Sequence, residues 1–403
     1  MSAFAAVMTG RGAGAIATIQ LVGDAADAAL AKVFRQTSGE RFELTTGRIL
    51  LGHIIDGDET VDQVTVGCES PGVFAIHCHG NPLIVERIVG LLQRNGVELL
   101  AAEQLLVRTL AVQSSLNSIV AEAKLALTTV KTIAGAAILT HQIESGLSAR
   151  VLEWQQELDK THLSQIASEA EQILKDSEPA RLIISGCTIA LVGPPNTGKS
   201  TLLNALAGRE KAVVTDIRGT TRDWVSAEIH IPPLTATIID TAGLDPSLAS
   251  RGEIDRAVQQ KSMEIIDRSD LVLLVLNITQ PADQLSKALA NKLLDKKTIT
   301  VLNKSDLPEH FDSASLSAHL GQPVRISAKQ DTGIEDLIHA IHATFNLAGF
   351  NSHAVTIFTS RQRALVGRLA VAGTRDQAIA LMDELLHGPI DCETACNLYN
   401  RFL

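Results

Sequence analysis

A chain of 403 residues exceeds the usual size of one hydrophobic core, so two or three domains are expected. With 45% apolar and 20% charged residues it has the composition of a soluble globular protein, and the scarcity of aromatics, 3%, favours helical packing through Ala and Leu. A formal net charge of −10 argues against a surface that grips a nucleic-acid backbone throughout, and leaves room only for a local basic patch.

The N-terminal run MSAFAAVMTGRGAGAIATIQLVG is apolar but lacks a basic start and is interrupted by Arg11 and several glycines. Neither a signal peptide nor a membrane span is expected. Over 1–112 short β-like runs (AIATIQLV, GRILLGHII, QVTVGCE, VFAIHCHG) precede the amphipathic PLIVERIVGLLQRNG, which predicts a small α/β domain. Over 113–181 the apolar residues recur every three to four positions, as in LEWQQELDKTHLSQIASEAEQILKD, and the segment reads as helical. Strands return over 182–347, each followed by a helix: CTIALVG, LTATIIDTAG, DLVLLVLN, KTITVLNKSD, PVRISAK. That alternation predicts a largely parallel sheet with helices on both faces. The segment 348–403 is helical again, so the two helical stretches are expected to pack as one domain into which the α/β domain is inserted.

The motif G-x-x-x-x-G-K-S runs from Gly193 to Ser200 between the apolar CTIALV and the helical STLLNALAG, which is the strand–loop–helix setting of a P-loop. Backbone N–H groups and a helix N-terminus there converge on an anion; Lys199 can reach the β/γ-phosphates and Ser200 can contact magnesium. Four further strings follow in order. RGTTRD (218–223) offers Thr221 to magnesium and the γ-phosphate. DTAGL places Asp240 near magnesium and the Gly243 N–H beside the γ-phosphate. NKSD supplies Asn303, Lys304 and Asp306, whose carboxylate can accept from guanine N1–H and the exocyclic amine, which adenine cannot offer. SAK (Ser327, Ala328, Lys329) fits a backbone contact to the guanine oxygen. An acceptor left unpaired costs about 1–3 kcal/mol, which decides for GTP over ATP. The fold class expected is α/β plus α: a P-loop GTPase domain inserted in a helical domain and preceded by a small α/β domain.

These residues resemble the translation-factor-like bacterial GTPases, and VVTDIRGTTRDWV narrows the likeness to the MnmE (TrmE) family of tRNA-modification GTPases. The resemblance implies GTP contacts from Asn196, Thr197, Gly198, Lys199, Ser200, Thr201, Thr215 and Thr220. It also implies a potassium ion held by the Asn196 side chain and by backbone carbonyls at Thr215, Ile217 and Thr220. A positive charge about 4 Å from the transferring phosphoryl group is worth roughly 4 kcal/mol at an effective dielectric of 20, comparable in role to an arginine finger. The alternative for Asn196 is a loop amide that caps its own backbone. Family members place a water-orienting glutamate some dozen residues after the DTAG motif; here Asp255 aligns with it across a three-residue insertion, and Glu253 offers the acid at a shifted place. Either carboxylate is otherwise a solvated helix charge.

Two N-terminal stretches extend the likeness. TGRGAGAIATIQLVG resembles the family's P-P-G-R-G-G-V-G-I-I-R-I-S-G, and VFAIHCHGNPLIVERIVGLLQRNGVEL its E-I-x-C-H-G-G-P segment. This implies a dimerising domain that binds a formyl-tetrahydrofolate, with Arg11, Cys78, His79 and Gly80 as candidates. Their other reading is a tight turn with a core cysteine and histidine. Ala75 and Asn81 depart from the pattern, and the family's P-G-E-F-T run is absent. The family's C-[IL]-G-K ending is replaced by CNLYNRFL. Of the five cysteines (68, 78, 187, 392 and 396), expected to be reduced cytoplasmic thiols, Cys392 and Cys396 lie one helical turn apart and more often pack than bind zinc. The resemblance thus implies a cytoplasmic, homodimeric, potassium- and magnesium-assisted GTPase acting on the wobble uridine of tRNA with a MnmG-like flavoprotein. The alternative is a GTPase switch that has lost the one-carbon chemistry and acts through a protein or RNA partner.

Overall fold

The computed structural model describes residues 2–10, 12–37, 45–112, 117–158, 162–209, 225–241, 263–281, 284–285, 287–313, 316 and 320–390. It divides into two compact units, Met1–Leu116 and Asn117–Leu403. Among the described residues no helix is long and apolar enough to cross a membrane.

The N-terminal unit is a seven-stranded sheet with strands β1 (Ala3–Val7), β2 (Ile16–Val22), β3 (Phe34–Gln36), β4 (Ile49–Asp56), β5 (Glu59–Ser70), β6 (Val73–His79) and β7 (Val97–Leu99). Their order is β3-β4-β5-β6-β2-β1-β7, antiparallel except where β7 runs parallel to β1. Alternation sets the inward face: Ile19 and Leu21 of β2, Val64 and Val66 of β5, and Phe74 and Ile76 of β6 bury against helices α1 (Ala26–Val33) and α2 (Pro82–Arg94). Helix α2 starts where the Asn81 side chain accepts the Leu83 N–H, with Pro82 in the first turn, and it buries Ile88, Leu91 and Leu92. Helix α3 (Ala102–Val112) adds Leu105 to a small cluster with Ala6, Val22 and Val73.

In the second unit the sheet is β8 (Cys187–Val192), β9 (Val225–Ile231), β10 (Leu234–Asp240), β11 (Leu271–Asn277), β12 (Thr298–Asn303) and β13 (Val324–Arg325), ordered β13-β12-β11-β8-β10-β9. All pairs are parallel except β9 with β10. β8 and β11 are buried at every position because both sheet faces are covered. Ile189 and Leu191 face α9 (Lys199–Arg209) and the helical core; Ala190 and Val192 face the side of α10 (Lys287–Leu293). Helix α11 (Ile334–Thr344) closes this region with Ile334, Leu337 and Ile341.

Helices from both sides of this sheet share one core. Before it come α4 (Ser118–Leu127), α5 (Ile133–Glu144), α6 (Leu147–Glu157), α7 (Leu163–Asp176) and α8 (Glu178–Ser185); after it come α12 (Ser360–Ala370) and α13 (Arg375–His387). Ile119, Ile138, Trp154 and Ile166 from the first set bury with Leu365, Leu369 and Met382 from the second. Polar groups fix the match. The buried Glu122 carboxylate accepts from Arg361 Nε at 2.5 Å and from Gln362 Nε2 at 2.7 Å, and Gln142 bonds both the Ala354 carbonyl and the Thr356 N–H. A buried carboxylate is tolerable only when so satisfied.

The same bundle holds the base of the central strand. Arg181 on α8 bonds Glu178 at 2.8 Å and Asp270 at 3.2 Å, and Asp270 in turn accepts the Thr188 N–H at 2.9 Å. Arg363 of α12 reaches Glu178 from the other side at 3.0 Å. The strand that delivers the phosphate loop is therefore anchored at its start by the helical region.

Candidate functional site: a nucleotide cradle on the second unit

β8, β10 and β12 run parallel in one sheet, β10 next to β8 and β12 one strand away across β11, so their carboxyl ends open on the same edge, which is where an open α/β fold presents its ligand crevice. The loop leaving β8 spans Gly193 to Gly198 and opens into α9, whose first N–H groups face the crevice. Asn196 sits in the left-handed region, φ 62°, a conformation asparagine tolerates better than most side chains. Its side-chain amide makes no hydrogen bond among the described residues, so it does not cap its own backbone, while its backbone carbonyl accepts from Lys304 Nζ at 2.8 Å. Gly198 must be glycine on two counts: φ is 92°, and a Cβ there would stand 2.3 Å from Asn303 Nδ2.

Lys199 is buried, and its ammonium donates to the carbonyls of Gly193 at 3.0 Å and Pro194 at 2.9 Å. Burial holds it below the ordinary lysine range, with Asp240 pulling the other way. Ser200 Oγ donates to Asp240 Oδ2 at 2.5 Å. The second oxygen of Asp240 is buried without a partner among the described residues. A carboxylate oxygen in that position is an acceptor held in reserve, and a hydrated magnesium ion beside Ser200 would supply the missing donor. The residues present therefore fit magnesium, which Ser200 and Asp240 would hold. Thr241 ties the end of β10 to β8 by donating both its N–H and its hydroxyl to the Leu191 carbonyl.

The base-reading loops are tied to the phosphate loop through Asn303. This buried amide donates to the Thr197 carbonyl at 2.8 Å and accepts the N–H of Lys304 at 2.8 Å and of Ala328 at 3.0 Å. Three of the predicted motifs are thus held by one side chain. Asp306 stands exposed at the rim, and the Ser327 hydroxyl donates to its Oδ1 at 2.6 Å. That bond, with a backbone N–H and the cations Lys329 and Lys304, keeps the carboxyl below the usual carboxylate range against a smaller desolvation effect. The Ala328 N–H in the turn after β13 is taken up by Asn303, and Lys329 follows it. Thr201 lies exposed in the first turn of α9.

Thr215, Ile217, Thr220, Thr221, Gly243, Glu253 and Asp255, and with them three of the four expected potassium ligands and both candidate acids, lie outside the described residues, as do Arg11, Cys392 and Cys396. In the N-terminal unit, Cys78 is buried and its thiol is pushed up to about 11, first by burial and then by Asp62, which makes it a core cysteine rather than a nucleophile. His79 at the end of β6 is exposed, and Gly80 packs its backbone on Gly14. Asp62 escaped the sequence reading altogether: it sits in an ordinary strand with no motif around it, yet both its oxygens engage His79, at 2.9 Å from the backbone N and 2.7 Å from Nδ1.

A family model described as a 50S ribosome-binding GTPase matches residues 188–304, which spans the phosphate loop through the start of the base-reading loop. The tRNA modification GTPase MnmE of Geobacillus kaustophilus is 30% identical over 379 residues, covering 85% of this chain and 81% of its own length. Those of Clostridioides difficile and Thermotoga petrophila are 27% and 28% identical, covering 94% and 100% of this chain. The solved G domain of the T. maritima FeoB iron transporter is 29% identical across 39% of this chain and 98% of its own, at a TM-score of 0.32, too low to bear on function. Given a cradle that carries the phosphate, magnesium and guanine elements in one crevice, and a relative 30% identical over most of both chains, the protein belongs to the MnmE family of tRNA modification GTPases.

Proposed function

We propose that this GTPase works in the cytoplasm as a homodimer, with a MnmG-like flavoprotein, in the 5-carboxymethylaminomethyl-type modification of wobble uridine in tRNA. The observation that carries the nucleotide half of this reading is the Asn303 junction, which couples the loop that holds phosphates to the residues that select guanine. The printed names of the relatives support the tRNA half. Expression in cells that lack the resident enzyme tests it directly: restored wobble-uridine modification is expected, and unmodified tRNA with normal protein levels would favour a bare GTPase switch.

Potassium is the second part of the proposal. Asn196 supports it with an exposed side-chain oxygen that no described residue engages, next to the loop where negative charge spreads over the transferring phosphoryl oxygens. The resemblance gives the backbone carbonyls of Thr215, Ile217 and Thr220, outside the described residues, as the groups that would hold the ion with it. Single-turnover GTP hydrolysis is expected to run at least about tenfold faster in potassium than in sodium, within the roughly 4 kcal/mol that one charge at 4 Å can supply. Asn196→Ala is expected to abolish the difference. Equal rates in both salts for the wild type would remove the ion from the mechanism.

The N-terminal unit completes the proposal as a site for a formyl-tetrahydrofolate, with Arg11, Cys78, His79 and Gly80 at or beside it. Among the described three, His79 is exposed, while Cys78 and Gly80 are buried beside it at the strand end.

A further inference from the structure

Helix α8 runs into β8 through a single residue, Gly186, whose φ is 76° and whose Cβ would stand 2.8 Å from the Thr235 carbonyl oxygen at the start of β10. The helix and the strand that delivers the phosphate loop are therefore joined without slack. Arg181 projects from α8, and its Nη2 donates to Asp270 Oδ1 at 3.2 Å. Asp270, the residue before β11, grips Thr188 on both sides: its Oδ2 accepts the Thr188 N–H and its own N–H donates to the Thr188 carbonyl, each at 2.9 Å. One backbone position of β8 is thus fixed along the strand axis by one residue, and Arg181 holds the side chain of that residue.

Arg181 is itself aimed. Glu178, one turn earlier, accepts from its Nε at 3.0 Å and its Nη2 at 2.8 Å, and the other Glu178 oxygen accepts from Arg363 of α12 at 3.0 Å. The side chains of Arg181 and Asp270 are 22% and 13% exposed, so solvent screens this link less than it would a surface pair. At the far end of β8 backbone again meets backbone: a Cβ at Gly193 would lie 2.1 Å from the Val275 carbonyl oxygen of β11. The segment before and along β11 therefore sets β8 both at its entry and at its exit, roughly 16 Å apart for five residues of strand.

The nucleotide site is assembled from pieces carried on different strands. Lys199 and Ser200 follow β8, Asp240 ends β10 and meets Ser200, and Asn303 ends β12 and reaches back to the Thr197 carbonyl. A slide of β8 along its axis leaves the phosphate loop internally intact, with its N–H groups still turned to an anion, but moves Ser200 against Asp240. Misplacement by about 1 Å from a change far from the chemistry can cost a hundredfold in rate.

We propose that Arg181, on the helical flank and outside the GTPase sheet, is a positioning residue for GTP hydrolysis: through Asp270 it holds β8 at the axial setting that brings Ser200 and Asp240 into register. Glu178 and Arg363 extend the link into α12, so the rate of hydrolysis answers to the packing of the helical region. A network that only stabilised the fold would leave kcat untouched in a folded variant, or would spoil kcat and KM together.

Steady-state GTP hydrolysis by the full-length protein in magnesium and potassium tests this. Asp270→Asn keeps the size of the side chain and an oxygen for the Thr188 N–H but turns an NH₂ toward Arg181. Its kcat is expected to fall by about tenfold to a hundredfold, with KM for GTP within about threefold of the wild type. Arg181→Met is expected to match it, and the double variant to be no worse than the poorer single variant, because both break one link. Glu178→Ala trims a side chain that is 42% exposed in the first turn of α8, where folding is not at stake. Its kcat is expected to be about threefold to tenfold lower at unchanged KM. An unchanged kcat in Glu178→Ala overturns the inference whatever the folding of the other variants. A folded Asp270→Asn protein with wild-type kcat overturns it as well, and so does one whose KM rises as far as its kcat falls.

Discussion

Lys199→Ala is expected to bind GTP at least about a hundredfold more weakly than the wild type, as measured by calorimetric titration. The ammonium is buried at the start of α9 and donates to two carbonyls of the phosphate loop, so it also shapes the loop that a nucleotide would enter. One unit charge about 4 Å from a phosphate oxygen is worth roughly 4 kcal/mol at an effective dielectric of 20, or close to a thousandfold. Part of that is offset because burial already works against the charged lysine in the nucleotide-free protein, with Asp240 countering it. Arginine would not substitute, since a planar fork cannot occupy the place of a compact ammonium. Unchanged affinity in a variant that melts like the wild type would sink the assignment of this loop.

Asp306→Asn is expected to lose GTP by about tenfold to a hundredfold and to gain xanthosine triphosphate. The direction follows from Ser327. Its hydroxyl donates to Asp306 Oδ1 at 2.6 Å, so an amide in that place turns its oxygen toward the serine and its NH₂ outward. That donor then faces the N–H groups of guanine, where two acceptors are needed, and suits the 2-oxo group of xanthine instead. Each mismatched charge-assisted bond costs about 1.5–3 kcal/mol. A variant that still excludes xanthosine nucleotides would show that another group reads the base. The lowered carboxyl at Asp306 means the reader stays ionised well below neutral pH, so loss of guanine preference on mild acidification is not expected from this residue.

Much of this architecture could be read in the chain because its signals are local. β8, β11 and β12 are largely apolar runs of the length of a buried strand, and β8 and β12 each lead into a motif whose residue types point to one chemistry. The strands without such a signal are short, uniformly apolar or polar-faced: β1 is part of an undifferentiated apolar start, β7 is three residues between two helices and pairs with the distant β1, and β9 carries the polar Ser226, Glu228 and His230 of an edge strand.

The sequence by itself determined the nucleotide chemistry: glycine, lysine and serine at fixed spacing make a phosphate loop wherever a strand precedes them and a helix follows. It also determined that a guanine reader lies on a later strand end. Only the tertiary structure decided how these parts become one site. Asn303 bonds Thr197, 106 positions away in the chain, and Ala328. The helical flanks meet through Glu122 and Arg361, 239 positions apart. Asp62, unremarkable in its strand, holds the backbone N–H and the ring of His79 at the end of β6, 17 positions away. Such contacts have no local signature, because a hydrogen bond is specified by distance and angle between atoms, and chain folding alone sets those for residues far apart in sequence.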